Sequence, residues 1–353
     1  VKPVVFRFSN TTEYTASIKG LTLTVEDETG AGLIPSSRIS ALRVVDGEGN
    51  TNASLVSVPS SGSKIYVTFS GDVYVRPSDY AYASVFVDIA DNTYTSNFRL
   101  NLAAASDIDF LPNTTTMEAD SGDAFPDMRT GVVSLQLKPS QGFISHNDVI
   151  PTTVSTGQSD IFAEILNLYN PNPPGSASIM LTGLTLTVED DTNTVIDPTK
   201  ALKRILVKDG ANIYSYFTAM PSSASAFYMP FDSPIYIGVS QTVNARLYID
   251  MVDTLQAGTF RINIKINADV RFCDANSGAV LPALAMDGDS FPMTTSTVII
   301  QEAVASAGVS NTDVIPASVN RGQQSVNLMK LVFTNPGGAS GANMAVTRIA
   351  LYC

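Results

Sequence analysis

The sequence predicts an all-β protein built of tandem β-sandwich domains, Ig-like or jelly-roll-like, of about 165 residues each. Three observations predict it. Apolar and polar residues alternate with a period of two. Gly, Pro, Asn and Asp punctuate that alternation at short intervals. The chain also writes one series of strands more than once, so that "GLTLTVEDETG" (20–30) returns as "GLTLTVEDDTN" (183–193). No long segment carries a helical period.

The opening "VKPVVFRF" (1–8) reads as a strand already under way, as at a processed or excised terminus. In "GLTLTVED" (20–27), Leu21, Leu23 and Val25 form one apolar face and Thr22 and Thr24 the wet one. "IPSSRISALRVVDG" (34–47) follows, and its Asp46-Gly47 is expected to make a tight hairpin turn with φ above zero. "KIYVTF" (64–69), "DVYV" (72–75), "SVFVDI" (84–89) and "FRLNL" (98–102) alternate in the same way, rich in β-branched and aromatic residues.

The series then recurs in order. "IDPTKALKRILVKDG" (196–210) answers 34–47, with a short helical turn expected near Pro198 and a second hairpin turn at Asp209-Gly210. "MPSSASAFYMPFDSPIYI" (220–237) answers "VPSSGSKIYVTFSGDVYV" (58–75). "LYIDMVD" (247–253) answers "VFVDIAD" (85–91), and "FRINI" (260–264) answers "FRLNL". "DGDSFP" (287–292) answers "SGDAFP" (121–126). A third copy opens with "TDVIPASVNRGQ" (312–323), the counterpart of "NDVIPTTVSTGQ" (147–158). "LVFTNP" (331–336) matches "LNLYNP" (166–171), each ending on Asn-Pro where a strand must stop. The expected organisation is a first repeat at 1–140 lacking its opening strand, a complete repeat at 141–305, and the opening of a third at 306–353.

Through "DVIP…GQ", "GLTLTVED" and "DG" the whole chain resembles the tandem Ig-like β-sandwich repeats of prokaryotic extracellular surface, adhesin and fibre proteins. Cohesin-like and carbohydrate-binding sandwiches are neighbours in shape. The resemblance implies an architectural role and carries over no functional residue.

Charge narrows the function. With 21 basic against 33 acidic residues the net charge is −12, and the pI is about 4.5. Such a surface repels phosphate backbones and anionic membranes, so nucleic acid is not an expected partner. No apolar run is long enough for a membrane span. Cys273 and Cys353 are too few for a disulfide framework and are read as two buried, unpaired thiols.

No catalytic constellation emerges. His146 is the only histidine, and the matching segment "SAGVSNTDVIP" has none, so it is expected to be a solvated connector residue. Nucleotide-binding glycine motifs and HExxH are absent. The chain is therefore expected not to be an enzyme and to need no cofactor. Carboxylates do recur: Glu26-Asp27 with Glu189-Asp190-Asp191, and Asp107 and Asp109 with Asp269 and Asp274. Asp120, Asp123, Asp287 and Asp289 flank glycines and are the candidate calcium ligands, weighed against solvated turn acids. Asn10, Asn52 and Asn113 fit the glycosylation triplet. Tyr74, Tyr80 and Tyr82 are read as core or rim packing, with a sugar-stacking face as the rival.

The expected function is that of a structural or interaction protein of an extracellular filament, sheath or surface layer, on a prokaryotic cell. Copies of the chain are the expected partners, head to tail or by donor-strand complementation through residues 312–330. An adhesin or carbohydrate-binding array, with glycan as partner, is the alternative. An accessory region of an enzyme catalysing elsewhere is a third class.

Overall fold

Two-residue alternation buries one strand face and wets the other, and stacked sheets satisfy that pattern by hiding their apolar faces against each other. A computed structural model describes residues 4–91, 96–111, 125, 128–286, 288–304, 306–336 and 341–350. Among them no α-helix forms, and the chain is an all-β protein of sandwiched, mostly antiparallel sheets. The helical turn expected at Pro198 is a 3-10 segment, Pro198–Lys200. The Asp197 carboxylate caps it, accepting the Thr199 amide at 2.9 Å.

The chain divides into two compact units, Val1–Leu137 and Lys138–Cys353. In the first, one sheet runs Val4–Asn10, Asp79–Ile89, Ile39–Asp46, Thr51–Leu55. The other runs Lys64–Val75, Ala16–Glu26, Arg99–Leu102, Met128–Arg129, with Ile108–Leu111 also against Ala16–Glu26. Phe8, Leu42 and Val85 from the first sheet meet Leu21, Leu23 and Ile65 from the second in one apolar core. Burial of such side chains contributes roughly 1.5–3 kcal/mol each.

The second unit repeats this plan and extends it. Its first sheet runs Asn212–Phe217, Leu202–Asp209, Thr242–Met251, Ile161–Tyr169, Gly142–Asp148, Ala283–Ala285. The facing sheet centres on Ile179–Glu189, flanked by Thr259–Ile264 and Val270–Asp274, with Val298–Gln301 beyond Thr259–Ile264 and Thr153–Ser155 beyond that. Leu166, Leu168, Leu184, Leu186 and Ile205 belong to its core.

The glycine that begins the duplicated motif has a structural cause. The Ala16–Glu26 strand slips register against Lys64–Val75 between Ile18 and Gly20, and the Ile179–Glu189 strand slips against Phe227–Ile237 between Leu181 and Gly183. Each bulge drives partner backbone inward: a Cβ at Gly20 would lie 2.6 Å from the Val67 carbonyl, and one at Gly183 2.7 Å from that of Met229. Only glycine fits such an approach.

The two Asp-Gly turns differ from each other. Asp209 pairs with Asn212 across a two-residue hairpin, and Gly210 has φ +54. At Asp46-Gly47 the loop is longer and the positive φ, +90, falls on Gly49 instead. There the Asp46 carboxylate accepts the Glu48 and Asn50 amides at 2.9 and 2.8 Å, which holds the wider loop.

Within the second unit, Gly308–Asp313 and Met329–Thr334 form a two-stranded hairpin. Its pairing runs from Gly308↔Thr334 to Asp313↔Met329, the same frame as Phe143↔Tyr169 to Asp148↔Glu164. Cys273 is buried and unpaired, as expected, and Cys353 lies outside the described residues. Among the described residues no helix is long and apolar enough to cross a membrane.

Candidate functional site

Of the recurring carboxylates, Glu26, Glu189, Asp107 and Asp274 are buried, and Asp109 and Asp191 are exposed. Glu26, buried at the end of its strand, receives Arg99 Nε at 2.7 Å, Arg129 Nε at 3.0 Å and Asn101 Nδ2 at 3.3 Å. Glu189, buried at the matching position, receives Arg261 Nη2 at 2.8 Å, Asn263 Nδ2 at 2.9 Å and the Lys265 ammonium. Burial pushes the Glu189 carboxyl up, but hydrogen bonds from Lys265 and Arg261 outweigh it and hold it below the usual range.

The neighbouring aspartates close their own loops. Asp27 accepts the Thr29 hydroxyl at 2.7 Å and the Ala31 amide at 2.9 Å, and Asp190 accepts those of Thr192 and Thr194 at the same distances. The threonine hydroxyl is the main cause holding each carboxyl below its ordinary value. Asp107 accepts the Ala104 amide at 3.1 Å, and Asp269 the Lys265 and Ile266 amides, both at 3.0 Å. Asp274 accepts the Asn276 amide at 2.9 Å and the Ser277 hydroxyl at 2.7 Å. These groups cap turns and neutralise cations.

Among the described residues no group of three or more His, Cys, Asp or Glu side chains is placed to hold a metal ion. Of the calcium candidates, Asp120, Asp123 and Asp287 lie outside the described residues. Asp289 accepts the His146 backbone amide at 2.9 Å.

His146 is not the solvated connector residue its sequence context suggested. It sits in the Gly142–Asp148 strand, with Nδ1 2.7 Å from Glu164 Oε1, and the Glu164 side chain is only 2% exposed. The hydrogen-bonded Glu164 raises the His146 pKa, against the opposing effect of burial. Burial in turn raises Glu164, opposed by His146. Asp148 and Asp289 stand near enough to add to the rise at His146. The pair locks the Gly142–Asp148 strand to Ile161–Tyr169. Nothing in the sequence joined these two residues, because no second histidine repeats the pattern.

Of the glycosylation triplets, Asn10 is buried and donates to the Val75 carbonyl at 2.9 Å, a bond that Asn170 repeats to Ile237 at 3.1 Å. Asn52 is buried with its amide nitrogen out of solvent. The folded unit therefore presents neither amide as an acceptor. Asn113 lies outside the described residues. The tyrosines read as packing residues are on the surface: Tyr74 is 64% exposed, Tyr80 56% and Tyr82 38%, with the last two edge to face at 5.3 Å. Tyr66 and Tyr74 occupy one strand of the first unit, and Tyr228 and Tyr236 stand exposed at the matching places in the second.

The clearest difference between the units lies at two sheet edges. In the second unit, Gly142–Asp148 pairs with Ile161–Tyr169, and Thr153–Ser155 lies parallel to Val298–Gln301. Ile161–Tyr169 and Val298–Gln301 correspond in the first unit to Val4–Asn10 and residues 133–136. Val4–Asn10 pairs with Asp79–Ile89 on one side, and Val133 bridges Phe98. Among the described residues no strand pairs with the other side of either.

No family model matches the chain, and no curated protein matches it. Among solved structures it is similar to the C-terminal domain of the antigen I/II-family protein AspA of Streptococcus pyogenes, at 8% identity and a TM-score of 0.28, over 85% of this chain and 99% of that one. It is also similar to CfaE, the adhesive subunit of the CFA/I fimbria of enterotoxigenic Escherichia coli, at 11% identity and a TM-score of 0.16, over 85% and 93%. Scores this low carry no functional argument, so the reading below rests on the chain's own residues.

Proposed function

We propose that the chain is a non-catalytic structural protein of a prokaryotic cell surface, a run of β-sandwich modules that serves as a spacer in a filament, sheath or surface layer. Residues 306–353 are read as the opening of a third module. The carrying observation is that what recurs between the modules is scaffold. The glycine bulge, the buried glutamate with its cations, and the asparagine bond to a neighbouring strand all return in place. Such devices stiffen a module against its own unfolding, and stiffness is what a spacer supplies. The partner is a further copy of the chain. Electron microscopy of the purified protein tests the reading: filaments or a lattice are expected, and isolated particles at every concentration would refute it.

The tyrosines favour a second reading. Tyr66, Tyr74, Tyr228 and Tyr236 present flat apolar rings to water at matching positions, and such rings stack on sugars. Glycan binding that disappears when these four become alanine would make the chain an adhesive array.

A further inference from the structure

The duplicated tyrosines are not equivalent. Tyr66 lies opposite Thr22 and Tyr228 opposite Thr185, so the two hold one place in their sheets. Their surroundings differ. In the second unit the Tyr228 ring lies over the bulge glycine: a Cβ on Gly183 would stand 2.4 Å from the Tyr228 hydroxyl oxygen and 2.7 Å from the ring carbon that bears it. At Gly20 the nearest atoms are instead the backbone of Val67 and Thr68. The missing side chain lets Tyr228 lie down on the neighbouring strand, where its hydroxyl donates to the Thr182 carbonyl at 3.4 Å. The ring is 41% exposed, against 68% for Tyr66.

Held in this way, Tyr228 lines a groove of about 540 Å³ together with Thr185, Asn267 and Arg271. That volume lies within the range of small-ligand sites. The Arg271 guanidinium carbon is 6.0 Å from the centroid of the Tyr228 ring. Arg271 is exposed, and among the described residues no carboxylate stands within ion-pair distance of it. Asp269 is on the lining too, but its carboxylate is bound into its own turn by the Lys265 and Ile266 amides. Val270 pairs with Leu184 as Ile108 pairs with Leu21, so Arg271 stands where the first unit has Asp109, and Asn267 where it has Ala105. Asp109 is therefore matched by Arg271 and not, as the sequence suggested, by Asp274. One place beside the tyrosine carries opposite charge in the two units.

We propose that this groove binds a uronic-acid residue of a glycan, a site that rests on the second reading above, of the chain as an adhesive array. The exposed face of a tyrosine stacks on the apolar face of a pyranose. A guanidinium takes a carboxylate through two parallel N–H donors. Because the two groups stand side by side, a sugar that carries its carboxylate on the ring meets both at once. The Asn267 amide and the Thr185 hydroxyl bring donors and acceptors for its hydroxyl groups. In a chain of net charge −12, a guanidinium with no carboxylate beside it marks a place that receives an anion. The first unit, with Asp109 at that place, repels the same sugar, so only one of the two tyrosine places takes it.

The test is calorimetric titration of the whole chain with oligomers of galacturonate and of mannuronate, and with the same oligomers after reduction of their carboxyl groups to alcohols. The acidic oligomers are expected to bind and the reduced ones not. Arg271→Asp, which gives the second unit the charge of the first, is expected to weaken binding about tenfold or more, as is Tyr228→Ala. Tyr66→Ala and Tyr74→Ala are expected to leave it unchanged. Arg271 is exposed, so its replacement spares the fold, and an unshifted thermal midpoint verifies this. Equal binding of the reduced oligomers would overturn the acidic-sugar assignment and leave the adhesive reading standing. A loss that follows Tyr66 and Tyr74 as much as Tyr228 would do the same to the groove. Displacement of the oligomers by inorganic phosphate or by a polyglutamate peptide would make the groove an unselective anion seat and overturn the proposal. Binding of no oligomer, acidic or reduced, would overturn the site and the adhesive reading together, while filaments in the microscope would still uphold the spacer.

Discussion

Replacing Glu189 by glutamine tests whether the recurring carboxylates are scaffold. The substitution keeps the shape but turns one accepting oxygen into a donor that faces cations. Glu189 is 2% exposed and receives Arg261, Asn263 and Lys265 together. Hydrogen bonds to charged groups contribute about 1.5–3 kcal/mol each and are not additive here. Losing one partner of a fully buried ion pair costs about 3–5 kcal/mol. Arg261 and Lys265 are 20% and 38% exposed, so both recover some hydration once the carboxylate is gone. The expected loss is therefore about 2–3 kcal/mol at neutral pH, seen by calorimetry as a midpoint lower by about 5–10 °C. The sign with pH is fixed. The folded carboxyl titrates below its ordinary value of 4.5, so its contribution is full above that value and fades as pH falls through the depressed pKa. Once Glu189 is protonated the two proteins become alike. A difference that persists undiminished at low pH, or one below about 0.5 kcal/mol at pH 7, would refute the assignment.

Three further outcomes are expected. Gly183→Ala places a Cβ 2.7 Å from the Met229 carbonyl, so backbone must move, and overpacking of this kind costs about 1–3 kcal/mol by denaturant unfolding. His146→Gln removes the cation beside a buried carboxylate. Because the folded His146 pKa is raised, the stability it supplies is complete below the unfolded value and is lost as pH rises through the folded one. Urea midpoints of the two proteins should accordingly differ most in mild acid and converge as pH rises. Chelation of divalent cations is expected to leave the thermal midpoint unchanged, since the Asp289 carboxylate already holds the His146 amide; a fall of several degrees would return calcium to these acids.

The period of two marked Leu21, Leu23 and Val25 as the buried face, because a half-buried strand writes its burial into neighbouring residues, whereas the burial of Glu26, Thr187 and Glu189 breaks the alternation. The triplet at Asn10 misled for the opposite reason: its three letters cannot say that the side chain points inward to Val75. Tyr74, Tyr80 and Tyr82 left core, rim and sugar-stacking face open, since aromatic residues suit either face of a sheet and only the stacking of layers decides which face is covered.

By itself the sequence determined the all-β class, the strand order along the chain and the glycines and turn acids that recur, since each depends on residues near one another. Only the tertiary structure decided what His146 and the glutamates do. Glu164 reaches His146 across a strand pair, and Arg261 reaches Glu189 from the neighbouring strand but from far along the chain, so neither partnership has a local signature. It also decided which edges find a strand beside them. That depends on where remote segments meet, and the energy of a sheet lies in those meetings, not in the strands alone.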